Sequence, residues 1–133
     1  MARAKAIIET AHYATAIDAG GHRIVADEPP SNGGADAGPG PYDLLLAALS
    51  ACTAITLRMY ADRKQWPLTR ATVELHFSRA ADKTERIDRT LHLEGDLGEE
   101  QRARLADIAE RTPVTLTLKR GLPILTTLAP AGR

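Results

Sequence analysis

Apolar positions along the chain follow two periods, and the change between them marks the elements. Near the start, Ile7 and Ile8 sit among polar neighbours between residues 3 and 11, and a second segment, Ala14–Ile17, runs into Asp18-Ala19-Gly20-Gly21. Short alternating stretches joined through a Gly-Gly pair predict a hairpin. His22–Ala26 predicts a third strand. The Pro- and Gly-rich stretch Asp27–Gly40 follows, which opposes a regular helix or strand and predicts a loop. Loops of this length in compact domains are commonly functional or mobile.

From Pro41 the period becomes helical. Pro41 fits a first helical turn because its missing N–H has no partner there, and Asp43 suits the exposed amides of that turn. Leu44, Leu45, Leu46, Leu49, Ile55, Leu57 and Met59, interleaved with Ala and Cys52, predict a helix over 41–64 whose apolar surface exceeds one narrow stripe. It reads as a central, buried helix. Trp66-Pro67 ends it.

Val73, Leu75 and Phe77 share one parity in Thr69–Ser78, and Ile87, Arg89, Leu91 and Leu93 share one in Arg86–Glu94. These predict two strands joined by a polar turn over residues 79–85. Ala103, Leu105, Ala106, Ile108 and Ala109 predict an amphipathic helix over Glu99–Arg111, with Gly98 at its start. The stretch Thr112–Leu118 admits two local readings, an alternating strand or a short helix begun by Thr112-Pro113. Beyond Gly121, Leu122–Leu128 predicts a final strand. The result is one α+β domain over 1–133, with a central buried helix and antiparallel sheet.

Composition narrows the function. Hydrophobic residues make up 44% and charged residues 26%, with 17 Lys+Arg against 17 Asp+Glu. These are the proportions of a soluble globular domain. A zero net charge argues against a partner held by phosphate neutralisation, and the sparse aromatics form no stacking pattern, so nucleic acid is not expected. The uncharged run Leu44–Leu57 is shorter than the roughly 17 to 25 residues that cross a bilayer, and no secretory h-region opens the chain. No membrane partner and a cytoplasmic location are the expectations. His12, His22, His76 and His92 lack metal-ligand spacing, and the glycines match no phosphate-binding pattern, so neither metal nor cofactor is expected. A domain of this size buries somewhat under 70% of its unfolded surface, which leaves room for a dimer to cover an extra apolar face.

One residue carries distinctive chemistry. Cys52 is the single cysteine, so no internal disulfide forms and its chemistry is either solitary or uses an external thiol. It is either a small core residue or, if reachable and ionised, a nucleophile. Well inside a helix, it gains little from the terminal dipole, and a nearby Arg would be a stronger activator.

The run Gly40-Pro41-Tyr42-Asp43-Leu44-Leu45-Leu46-Ala47-Ala48-Leu49-Ser50-Ala51-Cys52 resembles the helix-starting motif of the OsmC/Ohr superfamily. Asp27-Glu28-Pro29, Gly33-Gly34 and the residues from Cys52 to Ala61 resemble its OsmC-like branch, and Ile108–Val114 resembles the second motif. The resemblance covers about residues 22–128. It implies an intertwined homodimer, favours the short helix after Thr112, and places Cys52 at the position of a peroxidatic cysteine. In thiol-dependent hydroperoxide reductases of that family, such a cysteine attacks an organic peroxide and a second one resolves the sulfenic acid. Here the second position is Thr112, whose hydroxyl cannot supply that thiolate.

A second departure is Tyr42, which stands where the peroxidase motif has an acid, with Asp43 one residue later. One residue turns a helical side chain by roughly 100°. Neither Arg3 nor Arg23 aligns with the family's active-site Arg, and Arg58 should point away from Cys52. The resemblance thus implies external-thiol-dependent reduction of organic hydroperoxides, or a redox stress response, through Cys52, with Tyr42, Asp43 and Thr112 as pocket or electrostatic support. Two other classes stand beside it: a noncatalytic stress-response protein or one that binds an apolar small ligand, and a structural dimer that recognises another protein.

Overall fold

The computed structural model describes residues Met1–Gly132. The chain falls into two compact units: Met1–Ala48 with Leu75–Arg89, and Leu49–Glu74 with the chain from Thr90 onward.

In the first unit, β1 (Ala4–Ile7), β2 (Thr15–Ala19) and β3 (His22–Ala26) form an antiparallel sheet in the order β1-β2-β3. Ile17 lies opposite Ile24 and Ala19 opposite His22, so Gly20 and Gly21 make a two-residue turn with φ of 58° and 85°. A positive φ at both central residues matches the right-handed twist of the flanking strands, which is why a Gly pair belongs there. The loop after β3 departs from expectation at one place, a single exposed 3-10 turn at Pro30–Asn32. Elsewhere it packs closely on the end of β3. A Cβ on Gly38 would lie 2.0 Å from the Val25 carbonyl oxygen, and the Asp27 amide donates to Pro39 O at 3.1 Å.

The helix α1 (Pro41–Lys64) begins where Pro41 predicts. Its buried residues, Leu49, Thr53, Leu57 and Ala61, recur every fourth position and form one stripe. By length and composition alone α1 would suit a membrane span, although its uncharged run is short. The regular buried stripe is instead the mark of a helix packed on protein. Leu57 joins Leu105 and Ala109 as the core of the second unit, ringed by Tyr60, Trp66, Leu91, Leu93, Leu97 and Ile108. Ile55 and Met59, on the other side of α1, remain more than half exposed.

β4 (Leu68–Arg79) and β5 (Glu85–Gly95) pair with each other, and so short a connection requires an antiparallel course. Val73, Leu75, Phe77, Ile87, Leu91 and Leu93 are half-buried while Glu74, His76, Asp88 and His92 are exposed, as the parity predicts. α2 (Glu99–Ala109) starts after Gly98, whose amide is taken by Gln101 Oε1 at 3.0 Å, and Arg102 ties it to β5 through Leu93 O at 2.9 Å. α3 (Pro113–Arg120) settles the ambiguous stretch as helix. This is the α+β class of helices with antiparallel sheet that the sequence implies.

The final strand does not form. Leu122–Leu128 belongs to no sheet, and Ile124, Leu125 and Leu128 are at least 86% exposed. Alternation can extend a backbone, but a strand also needs a neighbour, and Pro123 offers no donor for a ladder.

Candidate functional site

Cys52 lies on α1 between the exposed Ala51 and the buried Thr53, and its thiol is free and half-buried. The helix presents the sulfur at the margin of the buried stripe because Thr53 turns inward, its hydroxyl donating to Leu49 O at 2.7 Å. Arg58 is engaged elsewhere, donating to Asp62 Oδ1 from Nε at 2.9 Å and to the Leu68 carbonyl from Nη1.

Tyr42 and Asp43 belong to the first unit, Cys52 and Thr112 to the second. Tyr42 stacks on Phe77 with centroids 4.6 Å apart, and its hydroxyl accepts from Arg79 Nη2 at 3.1 Å. Arg79 in turn donates from Nε to Glu85 Oε2 at 2.9 Å and lies 5.5 Å from the centre of the Phe77 ring. The Glu85 hydrogen bond and charge raise the Arg79 pKa further above its usual value. Arg79 is therefore a permanent cation held against two aromatic faces, whereas the sequence drew attention only to Arg3, Arg23 and Arg58. The legible signal was Arg79 and Glu85 at the two inner ends of a predicted hairpin.

Asp43 Oδ2 accepts the Gly40 amide at 3.0 Å, while the Gly40 carbonyl receives the Leu44 amide. This is the return half of a capping box, in which an acid three positions into the helix satisfies the backbone at its mouth. Thr112 requires a correction. It is fully buried rather than lining a pocket, and its hydroxyl shares a 2.6 Å hydrogen bond with Thr115 Oγ1 in place of capping α3. Its backbone carbonyl alone serves the helix, accepting from Leu116.

Asp27, at the start of the predicted loop, is buried and only 3% exposed. Its Oδ1 accepts the amides of Tyr13 at 3.1 Å and Glu28 at 2.7 Å, and its Oδ2 those of Ala35 at 3.2 Å and Ala37 at 3.0 Å. The Ala37 amide leads these bonds in lowering the Asp27 pKa, against burial, which raises it. Above this carboxylate lies a recess of about 300 Å³ with a mainly apolar wall that includes Ile8, Tyr13, Ala26 and Pro41. It has the walls to hold an apolar group.

Residues 33–127 match the family described as OsmC-like protein. The chain belongs to the OsmC-like family. No curated protein matches it significantly. Among solved structures, this OsmC-like chain is similar to an OsmC-like protein from Mycoplasma pneumoniae, with 20% identity, 90% of this chain and 87% of the other covered, and a TM-score of 0.77. An organic hydroperoxide resistance protein OsmC from Legionella pneumophila matches at 21% identity, 90% and 89% coverage, and a TM-score of 0.64. One from Elizabethkingia anophelis, with thiocyanate bound, matches at 19% identity, 83% and 81% coverage, and 0.61. At these identities the likeness establishes the shared fold of the OsmC-like protein.

Proposed function

We propose that the protein reduces organic hydroperoxides through Cys52 and is returned to its thiol state by an external small thiol, as part of a cytoplasmic peroxide or stress response. The observation that carries this reading is a half-buried, free sulfur on α1 of an OsmC-like chain. Names of structural neighbours as organic hydroperoxide resistance proteins support the substrate class. The Cys52 thiolate attacks the terminal peroxide oxygen. The O–O bond breaks, the alkoxide leaves and takes a proton, and Cys52 becomes a sulfenic acid. One external thiol then condenses with it, releasing water and forming a mixed disulfide. A second external thiol attacks that disulfide, freeing Cys52 and leaving with the first as an oxidised pair. Thr112 takes no part, being buried and hydroxyl-bonded. Within the first unit, Tyr42 holds the Arg79 cation through its hydroxyl, and Asp43 keeps the helix entry in place.

The working form is a homodimer. Ile55 and Met59 on α1 and Ile124, Leu125 and Leu128 in the tail expose apolar surface that a second copy would cover. No metal or organic cofactor is required by these steps.

Peroxide challenge of the reduced protein, followed by intact mass and by consumption of a small thiol, tests the reading. Stoichiometric sulfenylation at Cys52 that thiol reverses is the expected result. Equal peroxide loss with Cys52→Ser overturns it. A second reading rests on the apolar recess above Asp27: a noncatalytic protein that takes up a small apolar ligand. Saturable uptake without turnover, unchanged in Cys52→Ser, would favour it.

A further inference from the structure

Tyr60 occupies an environment unlike that of an ordinary surface tyrosine. It lies two turns beyond Cys52 on α1, about 12 Å along the axis at 1.5 Å per residue. Arg104 of α2 donates from Nε to the Tyr60 hydroxyl oxygen at 3.0 Å, and its guanidinium lies 5.8 Å from the ring centre. Asp107 fixes that guanidinium from the other side, accepting from Nη1 at 3.1 Å. Lys64, one turn along α1, stands 5.8 Å from the same ring centre, and Trp66 meets the ring edge-on at 5.6 Å. Arg111, just past α2, pairs with Asp107 at 2.8 Å. The charged groups around the phenol are thus Lys64 from its own helix, Arg104 and Asp107 from α2, and Arg111 beyond it: three cations against one carboxylate.

We infer that Tyr60 is a second nucleophilic centre of this protein, a phenol oxygen that reacts with hard electrophiles of the sulfonyl and acyl classes. The Arg104 N–H leaves the oxygen as an acceptor, and the surplus positive charge stabilises the oxyanion. The same Arg104 hydrogen bond, then the charges of Arg104, Lys64 and Arg111, lower the Tyr60 pKa against the effect of burial. Deprotonation gives its proton to solvent. The phenolate then attacks a sulfonyl sulfur, an O–S bond forms as an S–F bond breaks, and fluoride leaves with no change in oxidation state. Oxygen suits such hard centres, whereas the Cys52 sulfur suits peroxide. The inference stands whether or not Cys52 turns over peroxide.

The test labels the full chain with a small aryl sulfonyl fluoride across a pH series. Peptides are analysed after thiol reduction, which removes adducts at Cys52. Tyr60 should be labelled several-fold faster than Tyr13 and Tyr42 in mildly alkaline buffer. Arg104→Gln should move the midpoint of the Tyr60 labelling profile to higher pH and slow labelling several-fold below that midpoint, where the phenolate becomes scarcer. Arg111→Gln should move it less, and provides the comparison if Arg104→Gln fails to fold. Equal labelling of the three tyrosines overturns the inference, as does an unchanged midpoint in a folded Arg104→Gln or, failing that, in Arg111→Gln.

Discussion

The Ala37 amide donates to the carboxylate of Asp27, ten residues earlier, at 3.0 Å. With Glu28, Tyr13 and Ala35 it fastens the loop to the end of β3, and these bonds lower the Asp27 pKa from its ordinary value of 3.8. The unfolded chain then binds more protons than the folded one in the interval between the two pKa values. Stability is therefore full above the ordinary value and falls as acid approaches the lowered one. Asp27→Asn should melt lower than wild type at neutral pH and show a shallower loss below about pH 4. Asp82 and Asp88, whose pKa values are also lowered, leave a residual slope in the variant. Thermal melting over an acid pH series checks this; parallel curves for the two proteins would contradict it.

Leu57 is the centre of the second unit's core and is wholly buried with Leu105 and Ala109. Leu57→Ala should lose about 3 to 5 kcal/mol, the sum of lost burial and an incompletely collapsed cavity. Urea unfolding followed by circular dichroism measures it. A loss below about 1 kcal/mol would mean that this site repacks freely.

To either side of that position, the same helix offers the reverse case. Ile55 and Met59 are 54% and 59% exposed. Replacing either by Glu should leave the single chain folded yet shift its mass in solution from dimer towards monomer. Sedimentation at several concentrations reads this directly. A wild-type protein that is monomeric throughout would remove the dimer from the proposal.

Thr112→Val keeps the shape but deletes the hydroxyl that pairs with Thr115. Because Thr115 Oγ1 retains the Ala109 carbonyl at 3.3 Å, the loss should be modest, about 1 kcal/mol. The rate of Cys52 oxidation by peroxide should be unchanged. A large fall in that rate with normal stability would return Thr112 to the site.

The hairpin of β4 and β5, both long helices and the entry at Pro41 were legible because each rests on local signals: parity, helical spacing and turn chemistry. Asp27 was not. An acid beside Glu and Pro reads as solvated, and nothing local announces that amides eight and ten residues later close around it. Arg79 escaped for a similar reason, since its aromatic partner Tyr42 is 37 residues away. The tail failed in the opposite sense. Leu122–Leu128 has the pattern of a strand, but the described residues give it no ladder, and pattern cannot create the neighbour.

The tight approach of Gly38 to Val25 sets where this chain can accommodate change. A side chain there would collide with backbone, so even alanine would have to displace the end of β3. A few residues earlier, Ser31 and Asn32 stand in the exposed 3-10 turn. That turn is the natural attachment point for a tag or an inserted epitope, and the stretch around Gly38 is where engineering should leave the chain alone.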